Sequence, residues 1–274
     1  MTTVQQQLLG ALLLACLPVG LIVYARLMLA VWRKGGRVPT DAIALPDAMV
    51  TTVLVGFLAQ LMVKLALHPG TVEPPRVTAD SILPNVVVFL GVLTLLVAFL
   101  RARRIDVPRF FGLRGLRPGR AFGLALGFIA SAFPVLLLIG AITQSQLGAK
   151  AQEQELVGIF RDAVSRVNVR GLVAIAIAGA LTQPIVEEVF FRGYFYVVGK
   201  RYFGGLTSAI GTSALFAAVH LNLASFPALF VLALFLTLAY EFSGSILVPI
   251  AMHALFNSSQ LAVLAWQAHS IPPQ

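Results

Sequence analysis

The chain has 274 residues, of which 58% are hydrophobic and only 11% are charged, and its mean hydropathy is +0.90. That composition is too apolar for a soluble domain and indicates a polytopic membrane protein. The net charge of +9 does not indicate nucleic acid as a partner, because the basic residues gather in short segments between apolar runs. The only cysteine, Cys16, excludes an internal disulfide.

Apolar runs predict the helices. A helix rises about 1.5 Å per residue, so about 20 apolar residues are needed to cross the hydrocarbon core of a bilayer. The sequence contains about eight such runs, which predicts an all-α fold, a polytopic transmembrane bundle of about eight helices. The runs occupy residues 8–32, 46–67, 82–100, 120–143, 171–198, 206–222, 226–242 and 245–267.

Basic residues predict how these helices are oriented. Lysine and arginine follow the first, third and fifth runs, at positions 33–37, 101–120 and 200–201. Cytoplasmic loops are enriched in these residues, and all three clusters favour the same orientation. We therefore predict an integral protein of the bacterial inner (plasma) membrane with its N-terminus outside, and with the loop at residues 68–81 also outside.

Polar residues divide the chain into three predicted parts. Residues 1–145 hold the first four runs, which have almost no polar side chains at mid-depth, and we interpret them as a scaffold. Residues 146–169 are polar with interleaved apolar positions, which fits either a short amphipathic helix at the membrane interface or a solvated connector. Residues 170–267 hold nearly all the polar residues within runs, and we expect this four-helix part to carry the chemistry.

Two glutamates and an arginine interrupt the fifth run, in the stretch TQPIVEEVFFRG at residues 182–193. A charged side chain at the middle of a membrane costs roughly 3 kcal/mol or more, so each must be paired, hydrated or used. Glu188 and Arg192 are four residues apart with the acid first, which predicts a supporting ion pair on one helix face. Glu187 points about 100° away from Glu188 and is left for another task. Gln183, four residues earlier, could orient Glu187 or form a hydrogen bond between helices.

Two later runs add imidazole groups. His220 follows Phe216 by four residues in the sixth run, and Asn257 follows His253 by four residues in the eighth. At about 1.5 Å per residue, both histidines and Glu187 reach depths inside the bilayer. We therefore expect these side chains to meet within the membrane.

Such a cluster fits hydrolysis by direct attack of water. A carboxylate in a low-dielectric site can take a proton from water and later give it to a leaving amine, which makes Glu187 the predicted base. His220 would orient the same water, and His253 with Asn257 would donate hydrogen bonds to a developing oxyanion. No serine or cysteine nucleophile is needed, since Cys16 lies in a distant helix.

The same side chains leave a metal site open as an alternative. Two histidines and a carboxylate are the ligands of many hydrolytic zinc centres. Here the ligands would be His220, His253 and one glutamate, with Glu188 the ligand if Glu187 is the base. The HExxH signature of zinc peptidases is absent. A divalent metal such as zinc therefore stays an alternative to a mechanism without a cofactor.

Three motifs resemble those of the CAAX protease and bacteriocin-processing (CPBP, type II CAAX prenyl endopeptidase-like) family, namely Glu187-Glu188-x-x-x-Arg192, Phe216-x-x-x-His220 and His253-x-x-x-Asn257. The resemblance covers roughly residues 170–260 and implies an intramembrane endopeptidase. It implies that Glu187 and His220 activate water and that His253 and Asn257 form the oxyanion site. Members of that family have been described both as metalloproteases and as glutamate-dependent proteases. The resemblance therefore leaves open whether a metal ion is bound.

The substrate implied by the resemblance is a membrane-associated protein or peptide, and CAAX-type processing of a prenylated C-terminus is the narrower form of this prediction. Two other classes remain as alternatives: a proton-coupled transporter using the same buried acids, and a non-catalytic membrane scaffold. Transporters often carry broken helices in two related halves. No such repeat is visible here, which favours the endopeptidase.

Overall fold

The computed structural model describes residues 3–67, 79–147 and 169–270. Within these ranges the chain forms helices and no strands, which confirms the all-α fold. The helices are α1 (Thr3–Lys34), α2 (Leu45–Leu67), α3 (Ala79–Ala102), α4 (Val107–Phe110), α5 (Pro118–Leu147), α6 (five consecutive segments described below), α7 (Gly205–Ala218), α8 (Phe226–Ser243) and α9 (Leu247–Ser270). Most of the predicted external loop at 68–81 and of the predicted connector at 146–169 lies outside the described residues.

Helix α6 is continuous but contains two π-helical segments. Its segments are, in order, Val169–Ile177 (α), Ala178–Thr182 (π), Gln183–Glu188 (α), Val189–Phe195 (π) and Tyr196–Phe203 (α). In a π segment the backbone N–H donates to the carbonyl five residues earlier, which widens the helix by one residue per turn. The two adjacent glutamates thus lie in a short α-helical segment with a π segment on each side.

Seven helices in the described part of the chain, α1, α2, α3, α5, α6, α8 and α9, are long and apolar enough to cross a membrane. The predicted sixth span is instead the 14-residue helix α7. At about 1.5 Å per residue, α7 reaches about 21 Å, less than the roughly 30 Å of a hydrocarbon core. It ends at Ala218, so His220 lies in the turn beyond it, where Leu221 has a positive φ of 51°.

Helix α8 lies at the centre of the bundle. It packs against α1, α5, α7 and α9, and its residues Leu232, Ala233 and Leu236 are fully buried. The outer helices expose apolar faces instead, as α2 does with Val53 and Phe57. Inside a bilayer such faces contact lipid tails, which are as apolar as leucine, so their exposure costs little. The helices that carry the polar motifs therefore lie against the protein core, while α2 lies at its edge.

One end of the bundle gathers the loops that carry the basic clusters. Lys200, near the end of α6, donates from Nζ to the carbonyl of Val38, in the loop after α1, at 2.9 Å. Arg103, just after α3, forms an ion pair with the buried carboxylate of Asp47 in the first turn of α2. The three basic clusters predicted to share one membrane face thus do lie at the same end of the bundle. Which face of the membrane this end occupies stays a prediction.

Glu241, near the end of α8, is a buried charge that the sequence motifs did not single out. Only 1% of its surface is exposed, and its Oε1 accepts hydrogen bonds from Tyr196 Oη at 2.6 Å and Lys200 Nζ at 2.5 Å. Its Oε2 accepts from Val38 N at 3.2 Å. A side chain at Gly36 would overlap this carboxylate. Glu241 therefore connects α8, α6 and the loop after α1.

The second π segment of α6 passes directly against Phe111, at the start of the loop after α4. A Cβ built on Gly193 would lie 2.6 Å from a ring carbon of Phe111, closer than carbon atoms approach without a shift. The next residue, Tyr194, donates from its hydroxyl to the carbonyl of Asp47 at 3.3 Å. The N-terminal helices and their loops therefore contact α6 at positions next to its charged residues.

Replacing Glu241 with alanine is expected to destabilise the protein by about 3–5 kcal/mol, because it leaves the partly buried ammonium of Lys200 without its counterion. Thermal unfolding in detergent measures the change. The control is Arg114→Ala, which breaks an ion pair with Asp106 whose side chains are 70% and 44% exposed. That variant should lose no more than about 1 kcal/mol. Equal losses in the two variants would contradict the burial argument.

Replacing Gly193 with alanine should also lower the thermal midpoint, because the new methyl group has to displace the Phe111 ring. The matched control is Gly140→Ala in α5, where a Cβ meets nothing within 4 Å. Alanine favours a helix over glycine by up to about 1 kcal/mol, so Gly140→Ala should leave the midpoint unchanged or raise it. A Gly193→Ala protein as stable as the Gly140→Ala protein would show that the close approach is unimportant.

Candidate active site

Glu188 forms the fully buried centre of a charged cluster. Its Oε1 accepts a hydrogen bond from Arg192 Nη1 at 2.8 Å and lies 2.8 Å from His253 Nδ1. The structure thus contains the ion pair expected from the spacing of four residues, and adds a histidine from α9 to it. The Arg192 guanidinium also lies over the ring of Phe216, 4.3 Å from its centroid. A cation over an aromatic face is stabilised, so Arg192 has two partners in an otherwise apolar interior.

The two carboxylate oxygens of Glu187 differ in their hydrogen bonding. Gln183 Nε2 donates to its Oε1 at 2.6 Å, so the orienting role considered for Gln183 is the contact that the structure shows. Its Oε2 is buried without a hydrogen-bond partner within the described part of the chain, and lies 3.8 Å from His253 Nε2. The Glu187 side chain is 18% exposed, unlike that of Glu188. The two adjacent carboxylates therefore have different surroundings, as their angular separation predicted.

His220 lies in the turn after α7, with its Nδ1 2.7 Å from the carbonyl oxygen of Phe216. Because a carbonyl oxygen only accepts, Nδ1 carries the proton and Nε2 presents a lone pair in the neutral ring. The Phe216 ring is fully buried and contacts both imidazoles, with centroid distances of 4.9 Å to His220 and 5.8 Å to His253. Phe216 therefore packs against both histidines.

Asn257 attaches α9 to the first π segment of α6. Its Nδ2 donates to the carbonyl of Gly179 at 2.8 Å. The amide nitrogen has two hydrogens, so it can donate a second hydrogen bond beside this contact. Pro184 lies a few residues further along α6 and lacks a backbone N–H, which explains why regular helical hydrogen bonding is disturbed there.

The structure therefore brings most of the predicted site residues together. Glu187, Glu188 and His253 meet directly, and His220 joins them through Phe216. Asn257 lies one turn further along α9 and contacts α6. The catalytic roles of Glu187, His220, His253 and Asn257, and the supporting role of Arg192, stay predictions.

The side chains present do not fit the alternative metal site. Across residues 3–67, 79–147 and 169–270, no three His, Cys, Asp or Glu side chains are grouped so that they could hold a metal ion. Glu188 and His253 bind each other, and Arg192 already places a positive charge on the same carboxylate oxygen. A second cation at that oxygen would be repelled by the guanidinium. The candidate ligand set of Glu188, His220 and His253 is therefore not assembled here.

The polar half of the chain matches a known family. Residues 169–259 match the family profile described as type II CAAX prenyl endopeptidase Rce1-like, which covers α6, α7, α8 and about the first half of α9. Comparison with the curated proteins and with the solved structures gave no match to the chain. Seven membrane-length helices and this match identify an integral membrane protein. The match of residues 169–259 to the Rce1-like family model confirms the resemblance that the three motifs indicated.

Proposed function

We propose that the protein is an intramembrane endopeptidase in which Glu187 activates a water molecule to hydrolyse a peptide bond. The observation that carries this proposal is the state of the Glu187 carboxylate. Gln183 donates a hydrogen bond to Oε1. Oε2 has no hydrogen-bond partner among the described residues and lies 3.8 Å from Nε2 of His253. A carboxylate oriented in this way can accept a proton from water. The family match supports the reaction class.

In the first step, Glu187 Oε2 takes a proton from water as the water oxygen bonds to the carbonyl carbon of the substrate. The π electrons of that carbonyl move onto its oxygen and form an oxyanion. His220 orients the same water, because its Nδ1–H is bonded to the Phe216 carbonyl and its Nε2 lone pair accepts from the second water hydrogen. Hydrogen-bonded orientation of this kind places the nucleophile before the reaction begins.

In the second step, the oxyanion is stabilised and the C–N bond breaks. The proposed donors are the second amide hydrogen of Asn257 and Nε2 of His253. His253 can donate from Nε2 when both of its nitrogens carry protons, with Nδ1–H donating to the Glu188 carboxylate. The oxyanion electrons re-form the carbonyl, and Glu187 gives its proton to the leaving amine. The products are a carboxylic acid and an amine.

We propose a membrane-associated protein or peptide as the substrate, delivered through the lipid bilayer. The narrower proposal is CAAX-type removal of C-terminal residues from a prenylated protein, which the family description supports. The predicted setting is the bacterial inner membrane, with the end of the bundle that carries the basic loops in the cytoplasm. Arginine and lysine at that end would favour this orientation.

Glu187→Gln and His220→Ala should each reduce peptide cleavage by about 10²–10⁴-fold, the usual contribution of an acid–base group, while the protein stays folded in detergent. Cleavage of a fluorogenic peptide per mole of folded protein measures this loss. Cys16→Ala, at an exposed position of α1, is the control and should cleave as the wild type does. Full cleavage by both site variants would show that the proposed base and water-orienting group are wrong.

A second assay addresses the substrate and the competing classes. Purified protein in liposomes is offered the same C-terminal peptide with and without a prenyl group, before and after treatment with a chelator. We expect faster cleavage of the prenylated peptide and no effect of the chelator, because no metal-binding group of side chains is assembled in the described residues. Loss on chelation with recovery on adding zinc would establish the metallopeptidase. Proton flux without cleavage would establish the transporter.

A further inference from the structure

We infer that Glu188 is a positioning residue that fixes the imidazole of His253, in addition to neutralising Arg192. The inference rests on the proposed endopeptidase function and assigns a task to the carboxylate that the sequence interpreted only as one half of an ion pair. Glu188 is fully buried, and its Oε1 is engaged by Arg192 and His253. It acts through His253 and not on the substrate.

The hydrogen-bond geometry determines which nitrogen of His253 faces the site. A carboxylate only accepts hydrogen bonds, so the contact of 2.8 Å between His253 Nδ1 and Glu188 Oε1 places a proton on Nδ1. Nε2 is then the nitrogen directed at Glu187, 3.8 Å from its Oε2. A rotation of the ring by 180° would place a C–H group at Glu188 instead. The carboxylate therefore fixes the orientation of the ring, with Nδ1–H at Glu188 and Nε2 directed at Glu187.

The geometry of the ion pair supports this second task. A pair that serves only to neutralise its own charges gains most from two parallel hydrogen bonds, one to each carboxylate oxygen. Here Arg192 and His253 share Oε1. Oε2 of Glu188 and Nη2 of Arg192 are buried without partners within the described ranges. Oε1 thus contacts both Arg192 of α6 and His253 of α9, and the second hydrogen bond of a bidentate ion pair with Arg192 is not formed.

The surrounding contacts hold this arrangement in place. Arg192 is 1% exposed and lies between Glu188 and the face of the Phe216 ring. The same ring meets His253 at an interplanar angle of 73°, an edge-to-face contact. Charge and packing therefore act on the same imidazole from two sides. Since Glu188 supplies the only hydrogen bond to Nδ1 that the structure shows, its removal should free the ring to turn.

The test removes the ion pair without leaving an unpaired buried charge. Buried pairs can often be replaced by apolar residues of similar volume without loss of stability, so Glu188→Leu/Arg192→Met should fold. We expect kcat to fall by about 10–100-fold, the usual cost of losing a residue that orients a reacting histidine. KM should stay within about threefold, because neither residue contacts the substrate. Wild-type kcat in this double variant would overturn the inference.

A rescue variant separates positioning from charge neutralisation. Glu188→Gln/Arg192→Met also lacks both charges, but the amide oxygen can still accept from His253 Nδ1. It should recover most of the kcat lost in the Leu/Met variant. Equal kcat values in the two double variants would contradict positioning. As a control, Lys200→Met/Glu241→Gln removes the other buried ion pair of α6 and should lower the thermal midpoint while leaving kcat per folded molecule unchanged.

A readout independent of cleavage separates this inference from the proposed function. In protein labelled with ¹⁵N-histidine, the His253 resonance should show a hydrogen-bonded proton on Nδ1 in the wild type and in the Gln/Met variant, but not in the Leu/Met variant. The same Nδ1 signal in all three proteins would overturn the positioning role. If the wild type cleaves no peptide while this signal behaves as expected, the endopeptidase proposal fails and the positioning of His253 by Glu188 stands.

Discussion

The charge of Arg192 and its neutralisation inside the membrane is the constraint on which the rest of the site depends. A guanidinium that is 1% exposed in a membrane-length helix has to find a counterion within reach, and Glu188 lies one turn before it. The pair draws in His253 through the same oxygen, and Phe216 covers the cation. Because each of these contacts limits the others, the imidazole of His253 reaches the site with a defined orientation. Glu187, the residue before Glu188, approaches this network at His253 and has one oxygen without a hydrogen-bond partner among the described residues.

The altered winding of α6 makes room for this network. Two adjacent glutamates in a uniform α-helix would also point in different directions. In α6, however, the segments before and after them are π-helical. Asn257 contacts the π segment before them, and Phe111 lies against the π segment after them. π-helical turns are frequent at functional sites, since one extra residue redirects side chains without ending the helix. A helix that stays continuous also keeps its backbone hydrogen bonds satisfied inside the bilayer.

The N-terminal half has a mechanical part in this arrangement, although none of the predicted catalytic residues belongs to it. The loops after α1 and α4 contact α6 at Lys200 and Gly193, and the loop after α1 contacts α8 at Glu241. These contacts lie at the end that carries the basic clusters. The same loops that are expected to set the orientation of the helices in the membrane thus also hold α6 and α8 beside each other. The role of residues 1–145 as a scaffold stays a prediction, and these contacts are the ones through which it would act.

The sequence by itself determined the features that depend on short stretches of chain. Apolar runs predicted an all-α membrane bundle, and a spacing of four residues predicted the pairing of Glu188 with Arg192. Only the tertiary structure decided that His253 binds Glu188, that Asn257 binds the carbonyl of Gly179, and that the predicted sixth span stops after 14 residues. It also revealed the role of Glu241, whose only sequence signal was an acid within an apolar run. The physical reason is that insertion into a membrane and helical periodicity are local properties. The distances between side chains on different helices are instead set by how those helices pack.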